Sequence, residues 1–308
     1  MKFSEYLKKC REKSSFTQEQ LVQELYLYDT GLFKTIETST LSKWERGITK
    51  PYLSRQVGLI KYFQHKSGKA LPCFDEYNAQ EAQKLICKTG IQNLLGKSKK
   101  LIMRLPSKMI EVDDISITQL RNTEMIDHII DMHMDIDQGL NSKFADFTSN
   151  RFKEFALHPS NSFFVCEHKD RFFGLLFTLR LKPEVFEKIM NIEIREKDLT
   201  VDDFASFHEV GCNYAISFFA MNEKAAALLF IRYYAHLIAN QKSISEVGVS
   251  ILMEDSQKLI SNMNFHLHRE KELDNGTTLQ TYRETLANFL AYEKVVKIIL
   301  DKQECPEG

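Results

Sequence analysis

The sequence predicts a two-part protein: an all-α head followed by an α/β (α+β) body with a central mixed sheet. Three observations predict it. The chain has 308 residues, more than one typical core needs, so two domains are expected. Its formal charge of −1 hides an asymmetry, because residues 1–70 carry 13 Lys and Arg against 7 Asp and Glu, leaving 28 against 35 for the rest. From Ser107 onward the apolar pattern also becomes a mixture of helical spacing and strand-like alternation. The expected segments are a head over 1–70, a helical linker over 71–106 and a body over 107–308.

Within the head, Phe3 to Lys13 reads as a first helix. Thr17 followed three residues later by Gln20 is a capping box, so a second helix starts there and buries Leu21, Val22 and Leu25. Tyr26 to Ile36 reads as a long turn. Thr38, Ser39 and Thr40 are candidate caps for the next helix. On that helix Leu41 and Trp44 face the core, leaving Thr38, Ser39, Ser42 and Lys43 outward. Trp44, the single Trp of the chain, belongs to the small core. Gly47 suits a left-handed cap, Pro51 stops continuation, and Leu53 to His65 completes the head before a boundary at Ser67 to Pro72.

FTQEQLVQEL and ETSTLSKWERGITKP together resemble the helix-turn-helix of phage-repressor (Cro/C1, or XRE) regulators. The resemblance implies that Gln18 contacts phosphate, that Thr38, Ser39, Ser42 and Lys43 read bases, and that Arg46 and Lys50 clamp the backbone. The departure is the turn, which is longer than the family's. A basic head on an acidic body agrees with a nucleic-acid-binding module joined to something else.

Asp75 to Leu95 has helical periodicity, and Gly96 to Lys100 is a basic connector, read as solvated. In the body the expected order is a strand at Met109 to Ile117, helices at Thr118 to Ile136 and Phe144 to Leu157, and a hairpin of Ser162 to His168 with Phe172 to Leu181. A strand at Tyr214 to Met221, a helix at Lys224 to Ala239 and a strand at Ile244 to Leu252 follow. The rest is a helix at Asp255 to Met263, strands at Asn264 to Glu272 and Thr277 to Tyr282, and one apolar helix from Leu286 to Leu300.

That order resembles the GNAT acetyltransferase fold over about 107–285, as does DSQKLISNMNF, where acetyltransferases carry an Asp, a short helix and a Gly-Phe. In the family a loop of the form Arg/Gln-x-x-Gly-x-Gly/Ala holds the acetyl-CoA pyrophosphate on backbone N–H groups. Here Ala220 to Ala227 contains no glycine and places Glu223 where the anion would sit; Asn222, Lys224 and Ala225 are the remaining cofactor-contact candidates. Ile260 stands at the family's general-acid Tyr, and Asn264 at its Gly. These departures argue against acetyl transfer, so no cofactor is expected, acetyl-CoA being the alternative ligand.

Other chemistry is sparse. His208-Glu209 reads as a solvated loop pair, and Asp127, Asp131 and Asp135, with His128 and His133 alongside, as a solvated helix face. His266 and His268 share one side of a strand, a common spacing. No catalytic residue and no metal are expected. The six cysteines lack CxxC or CxxH pairing and read as free thiols in a reducing compartment. No membrane-length apolar run and no signal peptide are seen, so a cytoplasmic location is expected.

The expected function is a transcriptional regulator that binds a palindromic operator in duplex DNA as a homodimer, its body sensing a ligand, dimerising or binding a partner. The apolar segment with Leu290, Val295, Val296, Ile299 and Leu300 is a candidate interface, unless it packs on its own sheet. Two alternatives remain: an active acetyl-CoA-dependent N-acetyltransferase with a DNA-binding head, and an antitoxin-like protein-interaction module.

Overall fold

The computed structural model describes residues 1–86, 115–139, 147–168, 171–252, 260, 263–273 and 276–300. Compactness divides the chain into two units, each assembled from separated segments. Unit 1 comprises Met1–Lys97, Tyr234–Lys242 and Leu286–Gly308, and unit 2 comprises Ser98–Tyr233 and Ser243–Thr285. The three segments expected from the sequence are consecutive, whereas these units are interleaved.

The described parts of unit 1 are helical. Helix α1 (Phe3–Lys13) buries Phe3, Tyr6, Leu7 and Cys10, one stripe at helical spacing. Helix α2 (Gln18–Tyr28) opens on the capping box: Thr17 Oγ1 accepts from Gln20 N–H at 3.1 Å, and Gln20 Oε1 from Thr17 N–H at 2.8 Å. The long turn contains a helical turn of its own, α3 (Thr30–Phe33), capped by Asp29. Phe33 and Ile36 are buried, and Arg55 anchors the insertion by donating to Leu32 O and Thr35 Oγ1 at 3.2 and 2.8 Å.

Helix α4 (Thr38–Glu45) buries Leu41 and Trp44. Its N-cap is Glu37, without a side-chain bond, and Thr38 lies inside the helix. The hydroxyl caps expected at Thr38 to Thr40 are therefore displaced by one residue or more. Gly47, at φ 71°, ends α4. The N–H of Ile48 donates to Lys43 O at 2.9 Å and that of Gly47 to Trp44 O at 3.1 Å, the double closure of a Schellman motif.

Helix α5 (Leu53–Ser67) ends at the left-handed Gly68. Helix α6 occupies residues 79–86 of the described chain, its start capped by Asn78 and Glu81. The apolar segment after residue 285 is two helices, α11 (Leu286–Leu290) and α12 (Glu293–Leu300), not one. Leu290, Val295, Val296, Ile299 and Leu300 are buried, and both helices contact α5. Gln64 of α5 donates to Ala70 O and Ala287 O at 2.6 and 2.8 Å, tying the two segments. Within unit 1 these helices pack on α5.

Unit 2 is a mixed α/β domain whose seven-stranded sheet has the order β1-β2-β3-β4-β5-β7-β6. Its strands are β1 (Ser116–Gln119), β2 (Ser162–His168), β3 (Arg171–Leu181), β4 (Gly211–Ala220), β5 (Ile244–Ile251), β6 (His266–Glu272) and β7 (Thr278–Thr285). All pairs are antiparallel except β4 with β5. That parallel pair requires a crossover, supplied by α10 (Glu223–Ala239).

Helices α7 (Ile126–Gly139), α8 (Ser149–Leu157) and α9 (Pro183–Met190) supply Ile129, Phe152, Phe155 and Phe186 to one core with Phe163, Phe177 and Tyr214 of the strands. The strand expected to end at Ile117 runs on to Gln119, where a helix was expected to have begun at Thr118, and α9 was not anticipated. Parts of the expected strand at Met109 to Ile117 and helices at Asp75 to Leu95, Phe144 to Leu157 and Asp255 to Met263 lie outside the described residues.

Candidate functional site

In unit 1 a partly buried network joins three helices. Arg11 of α1 donates from Nε to Glu45 Oε1 at 2.6 Å and from Nη2 to Oε2 at 2.9 Å. Gln18 Nε2 donates to the same Oε2 at 2.8 Å, and Arg11 Nη1 reaches Phe16 O. The Glu45 side chain is 3% exposed and holds the Arg11 guanidinium above its ordinary pKa. The first residue of α2 is thereby fixed to the last residue of α4. Gln18, expected to contact phosphate, is half-buried, with its amide nitrogen engaged by Glu45.

Around this anchor Ser39, Lys43, Arg46 and Lys50 are exposed, and Thr38 and Ser42 half-exposed. Arg46 Nε donates to Ser42 O at 3.3 Å, so its head lies along α4. The face offers hydroxyls and cations from one short helix and the turn after it, a donor set suited to phosphate oxygens and base edges.

In unit 2 the feature of interest is the parting of two strands. The β4–β5 pairs run from Gly211↔Ile244 to Ala215↔Val249, while β4 continues to Ala220. The break coincides with a bulge: Phe177 opposes Ser217 and Thr178 opposes Ala215, so Ile216 is the extra residue. Beyond it Ser217, Phe218, Phe219 and Ala220 are partly exposed although β4 is central. The carboxyl ends of a parallel pair are where open α/β sheets bind ligands.

The cofactor-contact candidates sit at the start of α10. Asn222 is buried and its Oδ1 accepts from Ala225 N–H at 2.8 Å, capping the helix. Ala225 is buried, and Glu223 and Lys224 are partly exposed. An N–H that would serve an anion is thus already satisfied, and Glu223 adds a carboxylate to the same turn. Asn264 has φ 62°. It therefore meets the left-handed backbone demand for which glycine is the usual answer, and Asn is among the residues that tolerate it.

Two buried polar groups escape sequence reading, because they depend on strands far apart in the chain. Glu196 lies in the core with Tyr214 and Ser250: Ser250 Oγ donates to Glu196 Oε1 at 2.6 Å, and Tyr214 donates to the same oxygen. Burial, then the Glu196 charge, push the Tyr214 hydroxyl far above its ordinary pKa. His133 is buried on α7, stacked on Phe152, with Nε2 at 2.7 Å from Ser217 Oγ. Desolvation lowers it to about 4, so it is neutral at physiological pH.

The remaining candidates stay apart. Asp127, Asp131, Asp135 and His128 are exposed, with Asp127 paired to Lys153. His208 and Glu209 lie in an exposed loop, where Glu209 accepts from Ser206 N–H. His266 and His268 do not converge: a register shift lies between Leu267 and Arg269, and they bond separately to Glu284 at 2.7 Å and Asn191 at 2.9 Å.

No family model matches the chain, and no curated protein does. Solved structures with a similar arrangement include FeeM, an N-acyl amino acid synthase from uncultured soil microbes (11% identity, 57% of this chain and 91% of that one, TM-score 0.40). An agmatine N-acetyltransferase (12%, 56% and 100%, 0.37) and an N-acetyltransferase from Staphylococcus aureus Mu50 (13%, 56% and 97%, 0.33) are similar in the same loose way.

Proposed function

We propose that the chain is a sequence-specific DNA-binding transcriptional regulator in which unit 1 reads duplex DNA through α4. Unit 2, with an acetyltransferase-like order of elements, senses a ligand, dimerises or binds a partner without transferring an acyl group. The observation that carries the DNA-binding half is the Arg11–Glu45–Gln18 network. It fixes the start of α2 to the end of α4 while Ser39, Lys43, Arg46 and Lys50 remain outward. A rigidly held helix with small hydroxyls and cations outward is what direct readout in a major groove needs. Helix α3 lengthens the connection beyond the repressor pattern, yet it is anchored through Arg55 and so does not loosen α4.

Site selection from random duplexes, followed by fluorescence-anisotropy titration at several salt concentrations, tests this reading. The expected result is a palindromic consensus bound by a homodimer, with affinity falling steeply as salt rises. Equal affinity for the selected and scrambled sequences would overturn it.

For unit 2, the parting of β4 and β5 supports a ligand crevice, and the Asn222 cap with Glu223 argues against a pyrophosphate there. Calorimetric titration with acetyl-CoA is expected to show no saturable heat at millimolar ligand. Saturable binding would instead favour an acyl-CoA sensor or an active transferase.

A further inference from the structure

The sequence scatters its cysteines, but the fold of unit 1 brings two of them together. Cys10 Sγ on α1 lies 3.3 Å from Cys73 Sγ, both side chains buried. The separation is short enough that forming an S–S bond of about 2.05 Å requires a movement of little more than 1 Å. Cys73 is also one of few non-glycine residues here with positive φ, at 67°. Its neighbours hold it in that position. Phe74 packs against Tyr6 at 6.1 Å between ring centroids, Lys9 donates to Tyr77 at 3.1 Å, and Lys13 pairs with Glu76. A non-glycine residue kept in a left-handed conformation by its surroundings marks a position fixed by something other than local preference.

We propose that Cys10 and Cys73 form a site of reversible oxidative modification, an intramolecular disulfide that staples the segment after α5 to α1. The inference is independent of DNA binding. The oxidant is a peroxide, and the step balances as two thiols and one peroxide giving one disulfide and two waters. Cys73 is the attacking sulfur: hydrogen bonding from Cys10, then the charges of Lys13 and Lys9, lower its pKa against the effect of burial. Its thiolate forms an S–O bond as the O–O bond breaks, and the departing hydroxide takes up the proton that the Cys73 thiol released and leaves as water. Cys10, pushed up by burial, keeps its proton until then. Its sulfur next attacks the sulfenic sulfur of Cys73, and its proton leaves with the displaced hydroxide as the second water. A thiol reductant reverses the change by exchange.

The other described cysteines are unsuited to this chemistry. Burial raises Cys166 to about 12 and also raises Cys212, and neither has a second cysteine bonded to it. Selectivity for this pair over Cys166 and Cys212 is therefore expected.

The test uses the reduced, full-length chain treated with stoichiometric hydrogen peroxide and then digested under non-reducing conditions. Expected are a mass loss of about 2 Da, disappearance of two thiols, a linked peptide joining Cys10 to Cys73, and recovery of both thiols on reduction. Peptide mapping of the unmutated protein decides the matter even if a cysteine variant folds poorly. The Cys166→Ser, Cys212→Ser double variant, which keeps the pair, should give the same crosslink. Oxidation of either sulfur to sulfinic acid without a crosslink, a crosslink elsewhere, or no change would overturn the proposal.

Discussion

Glu45 has three hydrogen bonds from two side chains, so its removal should be felt twice. Glu45→Ala leaves the Arg11 charge, in a poorly solvated place, with only the longer contact to Glu12 at 3.9 Å, which costs about 3 kcal/mol. Trp44 is the only Trp of the chain and is buried in unit 1. Its fluorescence during urea unfolding should therefore report that loss directly. A change under 1 kcal/mol would mean that Arg11 and Gln18 find water instead. For DNA, Lys43→Ala is expected to lose about 1–3 kcal/mol of discrimination between operator and scrambled duplex, whereas Lys50→Ala weakens both alike and lowers the salt slope. Equal losses on both duplexes for Lys43→Ala would make it a phosphate contact. His133 gives a pH signature with a definite sign. Its folded pKa, about 4, lies below the ordinary 6.5, so the unfolded chain binds the proton more readily. The associated stability, about 3 kcal/mol, is complete above pH ~6.5 and is lost as pH falls toward 4. Urea unfolding followed by circular dichroism at pH 7 and 4.5 should show this, and His133→Gln should flatten the dependence. Trp44, Gly47 and Thr17 were legible because their roles are local. Glu45 and His133 were not, since their partners stand 34 and 84 residues away.

The bulge and close contacts around β4 make the sheet sensitive to added atoms. A Cβ placed on Gly174 would stand 2.6 Å from Phe219 O, a backbone atom that cannot rotate aside. Gly174→Ala is expected to destabilise unit 2 by about 1–3 kcal/mol, read as a lower midpoint in thermal unfolding by circular dichroism. An unchanged midpoint would mean that β3 and β4 yield easily at this point. Most strands and helices were readable from period alone: the hairpin of β2 and β3 and the span of α10 lie within a residue of expectation. The missed helix, α9, carries Pro183 at its first turn and buries Val185, Phe186, Ile189 and Met190. That signal was present but brief, eight residues between stronger neighbours. The error over 118–119 has another cause, since β1 is an edge strand that takes its conformation from β2. The Asn222 cap was hidden because a cofactor loop and a capped helix start demand the same polar residues.

At the scale of the molecule, the interleaved composition of unit 1 is the main departure from a consecutive reading. Helix α5 is covered by α11 and α12, and Leu71 N–H donates to Gln241 Oε1 at 2.6 Å, all within that unit. A chain cut after residue 285 should therefore unfold at lower urea by Trp44 fluorescence than the full chain does. Identical midpoints would show that unit 1 does not depend on the segment after residue 285. Separation along the sequence concealed this arrangement, because an amphipathic helix declares that it needs a partner and not which one. The consequence reaches into synthesis. At about 5–20 residues per second, some 10–50 s pass between the emergence of α5 and that of the helices that cover it. During that interval the basic surface of α4 is displayed on an unfinished core. On the proposed reading, a nascent or truncated chain would compete poorly for DNA, and premature termination would produce loss of binding instead of an unregulated fragment.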